Sequence, residues 1–215
     1  MSRIIKDIFI LFAITLVAGL ALGAVYNLTS NARSEQEKKT LNEAYENVMP
    51  GVQSTEKVKV DLKQMNEHIA KEVVAKEKDL EYKPYNEFKA TITDVLIAKD
   101  ENKKDLGYII TVTDEEAYNG SLTMTVGVDM NGSVKGISFL DINETPGLGM
   151  KAKDEEFLKQ YYGKDVDFFT YAKENAEDKS QVDAISSATI TSNAVTHGVD
   201  ACLCMADHLG GESHE

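Results

Sequence analysis

Two short segments depart from the charge-rich chain around them: Asp183-Ala184-Ile185-Ser186-Ser187-Ala188-Thr189-Ile190-Thr191-Ser192 and Glu144-Thr145-Pro146-Gly147-Leu148-Gly149. In the first, Ser and Thr crowd in front of an apolar-periodic run with Val195, Val199 and Cys202 on one face. That pattern predicts a helix N-terminus, capped by Thr191 or Ser192. Free backbone amides and the positive end of the helix dipole make such a start a natural anion site, and a phosphate near Thr189 would be well supported there. The second segment has one proline, two glycines and little side-chain bulk, so its backbone amides can approach a planar or phosphorylated group closely. On residue types alone, the two segments read first as a plain capped helix and an ordinary tight turn leaving a strand.

Other chemistry is thinly represented. No base is evident beside Thr189, and an unactivated threonine hydroxyl is a weak nucleophile. His68 reads as a solvated histidine in the polar part of a helix, and His208 and His214 lie near the end of the sequence, where nothing is expected to hold them. Cys202 and Cys204, separated by one residue, lack zinc-like ligand spacing and would form a strained disulfide, so they read as small apolar residues of a terminal helix. No metal site is expected.

The elements that must position the two segments follow from periodicity. Residues 91–98, 107–113, 121–129 and 133–140 read as strands, with Asn131-Gly132 as a hairpin signal between the last two. Residues 55–80 begin with a short strand or turn and continue as an amphipathic helix, 153–162 reads as a helix, and a terminal helix is expected over about 193–208. Strands with segregated helices and no βαβ alternation predict an α+β class, a mainly antiparallel sheet with flanking helices. Phe157 and Tyr161, four apart, read as core aromatics.

An uncharged apolar run over about residues 8–28 has the length needed to cross a hydrocarbon core. The chain therefore divides into a membrane anchor (1–30), a polar juxtamembrane helix or stalk (31–54) and one domain (55–215). Arg3 and Lys6 before the run favour a cytoplasmic N-terminus and an extracytoplasmic domain. Gly19 and Gly23 would let another helix approach, although such pairs are common in spans. Over 215 residues the formal charge is −13. Arg3 and Lys6 outweigh Asp7 before residue 30, so the negative excess lies in the domain, which excludes nucleic-acid binding.

Taken together, the two motifs are more specific than either alone. The run Asp-x-x-Ser-Ser-Ala-Thr-x-Thr-Ser resembles the flavinylation motif of the FMN-binding domain family, and Glu-Thr-Pro-Gly-Leu-Gly resembles that family's other hallmark. Their order and spacing, the hairpin and the single span are similar to the G subunits of Rnf electron-transport complexes. The resemblance implies FMN joined by a phosphoester to Thr189. It also implies cofactor contacts from Glu144, Thr145, Gly147, Leu148, Ser186, Ser187, Ala188 and Thr191. By the same resemblance, a flavin transferase recognises Asp183, and the partners are the other membrane subunits of a ferredoxin:NAD⁺ oxidoreductase. Ser187 stands where the family usually has glycine, a strain if the backbone there needs a positive φ. The C subunit of the sodium-pumping quinone reductase shares both motifs, and a tethered assembly subunit without flavin or a secreted flavoenzyme are the other readings.

Overall fold

The computed structural model describes residues 2–173, 176 and 178–212. Two compact units divide at Asn42. The first helix, α1, spans Ser2–Val48, so its last residues belong to the second unit. Within it, Ile4–Tyr26 is an exposed apolar stretch of 23 residues, long enough to cross a membrane. His214 lies outside the described residues.

The second unit is an α+β fold, as its sequence pattern predicts. Its strands β1 (Ser54–Lys57), β2 (Ala90–Lys99), β3 (Asp105–Ala117), β4 (Gly120–Asp129) and β5 (Val134–Ile142) form an antiparallel meander in sequence order. The four long strands lie where alternation places them and extend a few residues further. Two of the connections use the same chemistry. Asp129 Oδ1 accepts the amides of Asn131 and Ser133 while Gly132 takes φ +81°; Asp100 Oδ1 accepts those of Asn102 and Lys104 while Lys103 takes φ +62°. Each is a short loop closed by a left-handed residue, the geometry that matches strand twist.

One face of the sheet carries the main core. Leu122, Met124, Val126 and Val128 of β4 and Tyr108, Ile110 and Val112 of β3 alternate towards it. Two helices cover this face: α2 (Leu62–Asp79), capped by Asp61, and α4 (Thr189–Glu212). The opposite face carries a cross-strand threonine ladder, Thr111–Thr125 and Thr113–Thr123, and a smaller apolar cluster of Val48, Met49, Ala98 and Ile109. There the end of α1 lies directly on the paired Gly127 and Gly136, whose missing side chains admit the Val48 backbone.

Two segments differ from expectation. The predicted helix over 153–162 is a 3-10 turn (Gly149–Lys153) followed by a single α-helical turn, α3 (Glu155–Leu158). The charged stretch after it contains a two-stranded parallel pair, β6 (Thr170–Ala172) with β7 (Gln181–Asp183), too short to carry a periodicity.

Candidate functional site

β7 leads through a tight turn into α4, which begins at Thr189, two to three residues before the expected cap. The first main-chain bond of the helix runs from the Ser192 amide to the Ala188 carbonyl at 3.0 Å. Ser192 is therefore not the cap. Its hydroxyl sits one turn inside, donating to the Ala188 carbonyl at 3.0 Å and accepting the Ile185 amide at 2.9 Å. This arrangement locks the approach to the helix. The amides of Thr189, Ile190 and Thr191 have no intrahelical acceptor and meet the positive end of a 24-residue helix.

The loop after β5 packs against this start. Glu144, Thr145, Leu148 and Gly149 line one cleft with Ser187, Ala188, Thr189, Ile190 and Thr191; Tyr85 and Tyr118 complete it, and its volume is about 410 Å³. Gly149 makes the closeness possible. A Cβ there would lie 2.7 Å from both Glu144 Oε2 and Thr191 Oγ1, so any side chain would push the two walls apart. Glu144 is 5% exposed; its Oε1 accepts the Tyr118 amide at 2.9 Å, and its Oε2 has no protein partner. A buried carboxylate oxygen without a donor is costly, which makes it a ready acceptor for a ligand N–H or O–H.

Not every candidate residue lies on this cleft. Gly147 is exposed with φ +78° and serves the turn in which the Leu148 and Met150 amides reach the Thr145 carbonyl. Asp183 and Ser186 line a neighbouring, smaller hollow with Phe157 and Gln160. Asp183 is exposed; its carboxylate accepts the Ala176 amide, and its backbone pairs with Gln160 in both directions. Ser187 has φ +62°, so the position usually held by glycine does take the left-handed conformation.

Residues 117–204 match the FMN-binding domain family. The G subunit of the Na⁺-translocating ferredoxin:NAD⁺ oxidoreductase complex of Acetobacterium woodii is 30% identical over 204 residues, covering 93% of this chain and 90% of that protein. The chain belongs to the family of G subunits of ion-translocating ferredoxin:NAD⁺ oxidoreductase complexes. The G subunit of the proton-translocating complex of Clostridium ljungdahlii is 35% identical over 102 residues, 47% of this chain and 54% of that protein. Thus the chain spans only about half of that relative in the matched region. The crystal structure of NqrC from Shewanella oneidensis has a TM-score of 0.43 and 20% identity, covering 56% of this chain and 59% of that one.

In this member of the G-subunit family the cleft fits a flavin nucleotide on three counts: free amides for a phosphate, an orphaned acceptor for a polar edge, and exposed Tyr85, Tyr118 and Leu148 for an apolar surface. A phosphate bound in this cleft would fall with the amides, away from the Glu144 carboxylate that would repel it.

Sequence reasoning missed both tyrosines, and a buried polar chain explains how one is held. Asn193 Oδ1 accepts the Tyr85 amide at 3.1 Å, Asn193 Nδ2 lies 3.2 Å from His197 Nδ1, and His197 Nε2 lies 3.0 Å from Glu77 Oε1. Because the Tyr85 amide can only donate, it fixes the Asn193 amide, which fixes Nδ1 as acceptor and puts the His197 proton on Nε2, towards Glu77. Only the unusual content of buried polar residues in α4 could have signalled this chain.

Phe157 and Tyr161 are buried core aromatics in edge contact, with the Tyr161 hydroxyl 2.9 Å from Thr196 Oγ1. Cys202 and Cys204 are also buried, and burial pushes the Cys204 thiol up to about 12 and the Cys202 thiol well above its ordinary value, which disfavours the reactive thiolate in both. His208 is better fixed than its place in the sequence predicts: its Nε2 lies 3.1 Å from Glu72 Oε2 on α2.

Proposed function

We propose that this chain is a membrane-anchored electron carrier in an ion-translocating ferredoxin:NAD⁺ oxidoreductase complex, with FMN bound covalently through a phosphoester to Thr189. The observation that carries this reading is the meeting of two motifs, some forty residues apart in sequence, in one cleft at the start of α4 with Thr189 on its wall. Bound FMN would supply one- and two-electron transfer. The chain's own residues hold and orient it. The Thr189–Thr191 amides neutralise phosphate charge, Glu144 Oε2 and the Thr191 hydroxyl accept or donate at a polar edge, and Thr145 and Leu148 line the wall.

No carboxylate or imidazole among the described hydrogen-bond partners activates the Thr189 hydroxyl, which supports attachment by a separate flavin transferase. Asp183, Ser186 and Ser187 are exposed on the approach to α4, where such an enzyme could read them. The apolar stretch Ile4–Tyr26 serves as the anchor, with the N-terminus cytoplasmic and the domain outside, held beside the other membrane subunits.

Coexpression with a flavin transferase, followed by denaturing electrophoresis under ultraviolet illumination, tests the assignment. Wild type gives a fluorescent band and Thr189→Ala gives none. A dark wild-type band overturns the carrier reading and leaves a tethered domain without covalent flavin.

A further inference from the structure

Away from the flavin cleft, α2 and α4 bring together a second set of chemically competent side chains. His68 and Glu72 are four residues apart and share a face of α2, and α4 delivers His208 to the same place. One donor atom from each lies within 4.8 Å of the others. Glu72 Oε2 stands 3.1 Å from His208 Nε2 and 4.0 Å from His68 Nε2, and the two imidazole rings meet edge to face with centroids 4.7 Å apart. Ligand atoms around a tetrahedral zinc ion with ordinary bond lengths sit about 3.3 Å apart. Of the three pairs, Glu72–His208 already has that spacing; His68 stands wider, 4.0 Å from Glu72 and within 4.8 Å of His208, and a side-chain adjustment brings it in.

The surroundings favour ligation. Lys76 holds Glu72 Oε1 at 3.2 Å, leaving Oε2 directed at the two imidazoles, the kind of outer support that orients a ligating carboxylate. A surface hollow lined by Gln64, Met65 and Lys71 opens beside His68 and His208, so a fourth position is accessible to water. Two imidazoles and one carboxylate suit a first-row transition ion rather than Mg²⁺ or Ca²⁺.

We propose that His68, Glu72 and His208 form a three-ligand site for Zn²⁺ or a similar transition-metal ion, clamping the C-terminal part of α4 to α2. Nineteen residues separate Thr189 from His208 along α4, about 28 Å of helix. The ion is therefore a clamp remote from the flavin cleft and takes no part in electron transfer there. The site stands independently of the flavin assignment.

The test uses the full chain in detergent, stripped with a chelator and titrated with ZnCl₂ by calorimetry and with CoCl₂ by visible absorption. Wild type binds one saturable equivalent, shows the intense absorption of tetrahedral cobalt, and gains thermal stability with Zn²⁺ but not with Mg²⁺. His68→Gln and His208→Gln each weaken binding by at least the roughly 10–100-fold seen for lost supporting groups. In His208→Gln the amide still donates to Glu72, so unchanged metal-free melting shows that ligation was lost and not the fold. Thr189→Ala binds as wild type does. Absence of a saturable equivalent in wild type, or unchanged affinity in either glutamine variant, overturns the site.

Discussion

Ser187 introduces α4 with φ +62° and an exposed side chain, at the position next to the small, buried Ala188 and the cleft-lining Thr189. A left-handed L-residue costs about 1–2 kcal/mol, while glycine gives back part of that gain through the freedom it has when unfolded. Ser187→Gly should therefore stabilise the domain by up to about 1 kcal/mol in urea unfolding, with the flavin yield of the gel assay undiminished. A lower midpoint would mean that the serine side chain contributes more than its backbone costs.

Asp114 carries the opposite kind of strain. It is fully buried, its Oδ2 has no partner, and burial raises its carboxyl to about 6, only partly offset by the Glu116 amide bound at Oδ1. Its folded pKa exceeds its unfolded one, so the folded state takes up a proton first, and this group favours folding increasingly as pH falls from above 6 towards 4. At pH 8 the ionised group works against folding, and Asp114→Asn should add about 1–2 kcal/mol there. The advantage should vanish by pH 4. Unfolding curves measured across that range check both magnitude and sign; a constant offset at every pH would remove ionisation as the cause.

Among the elements, α2 does more than cover the sheet. The Asn66 side chain donates to the Ile92 carbonyl at 2.9 Å and accepts the Ile92 amide at 2.8 Å, beside the register shift between Ile92 and Asp94 in β2. A side-chain amide thus satisfies both backbone groups of Ile92, where β1, paired only with Leu96–Lys99, does not reach. Removing it leaves two polar groups unpaired, and Asn66→Ala should cost about 1–3 kcal/mol in equilibrium denaturation. An effect below a few tenths would show that water replaces the side chain freely. Asn193 has the parallel role for the cleft, joining Tyr85 to α4, so both helices act on the sheet and loops through buried amides as well as through apolar packing.

At the scale of the whole molecule, the division at Asn42 leaves Ala44, Val48 and Met49 buried in the domain, where Val48 and Met49 cluster with Ala98 and Ile109. The chain lacking residues 1–42 should fold as a detergent-free domain. Removing residues 1–49 exposes the second apolar cluster and should lower unfolding free energy by about 3–5 kcal/mol, the value of burying a valine and a methionine. Equal stability of the two shortened chains would show that the end of α1 is dispensable packing.

Periodicity and residue type by themselves determined the α+β class, the four long strands and an apolar run long enough to span a membrane, because each is written in contiguous residues, with a period of two or as an uninterrupted apolar stretch. Turn chemistry also made Gly132 legible as a hairpin, and the missing glycine at Ser187 flagged a position of real strain. Tertiary structure alone decided the rest. Tyr85 and Tyr118 acquire meaning only when their loops converge on the start of α4, and His208 was misjudged from its distance to the chain end because its partner, Glu72, lies on another helix. Side-chain partnerships across more than a hundred residues leave no local signal: burial and hydrogen bonding depend on which surfaces the fold brings together, which no periodicity within one segment records.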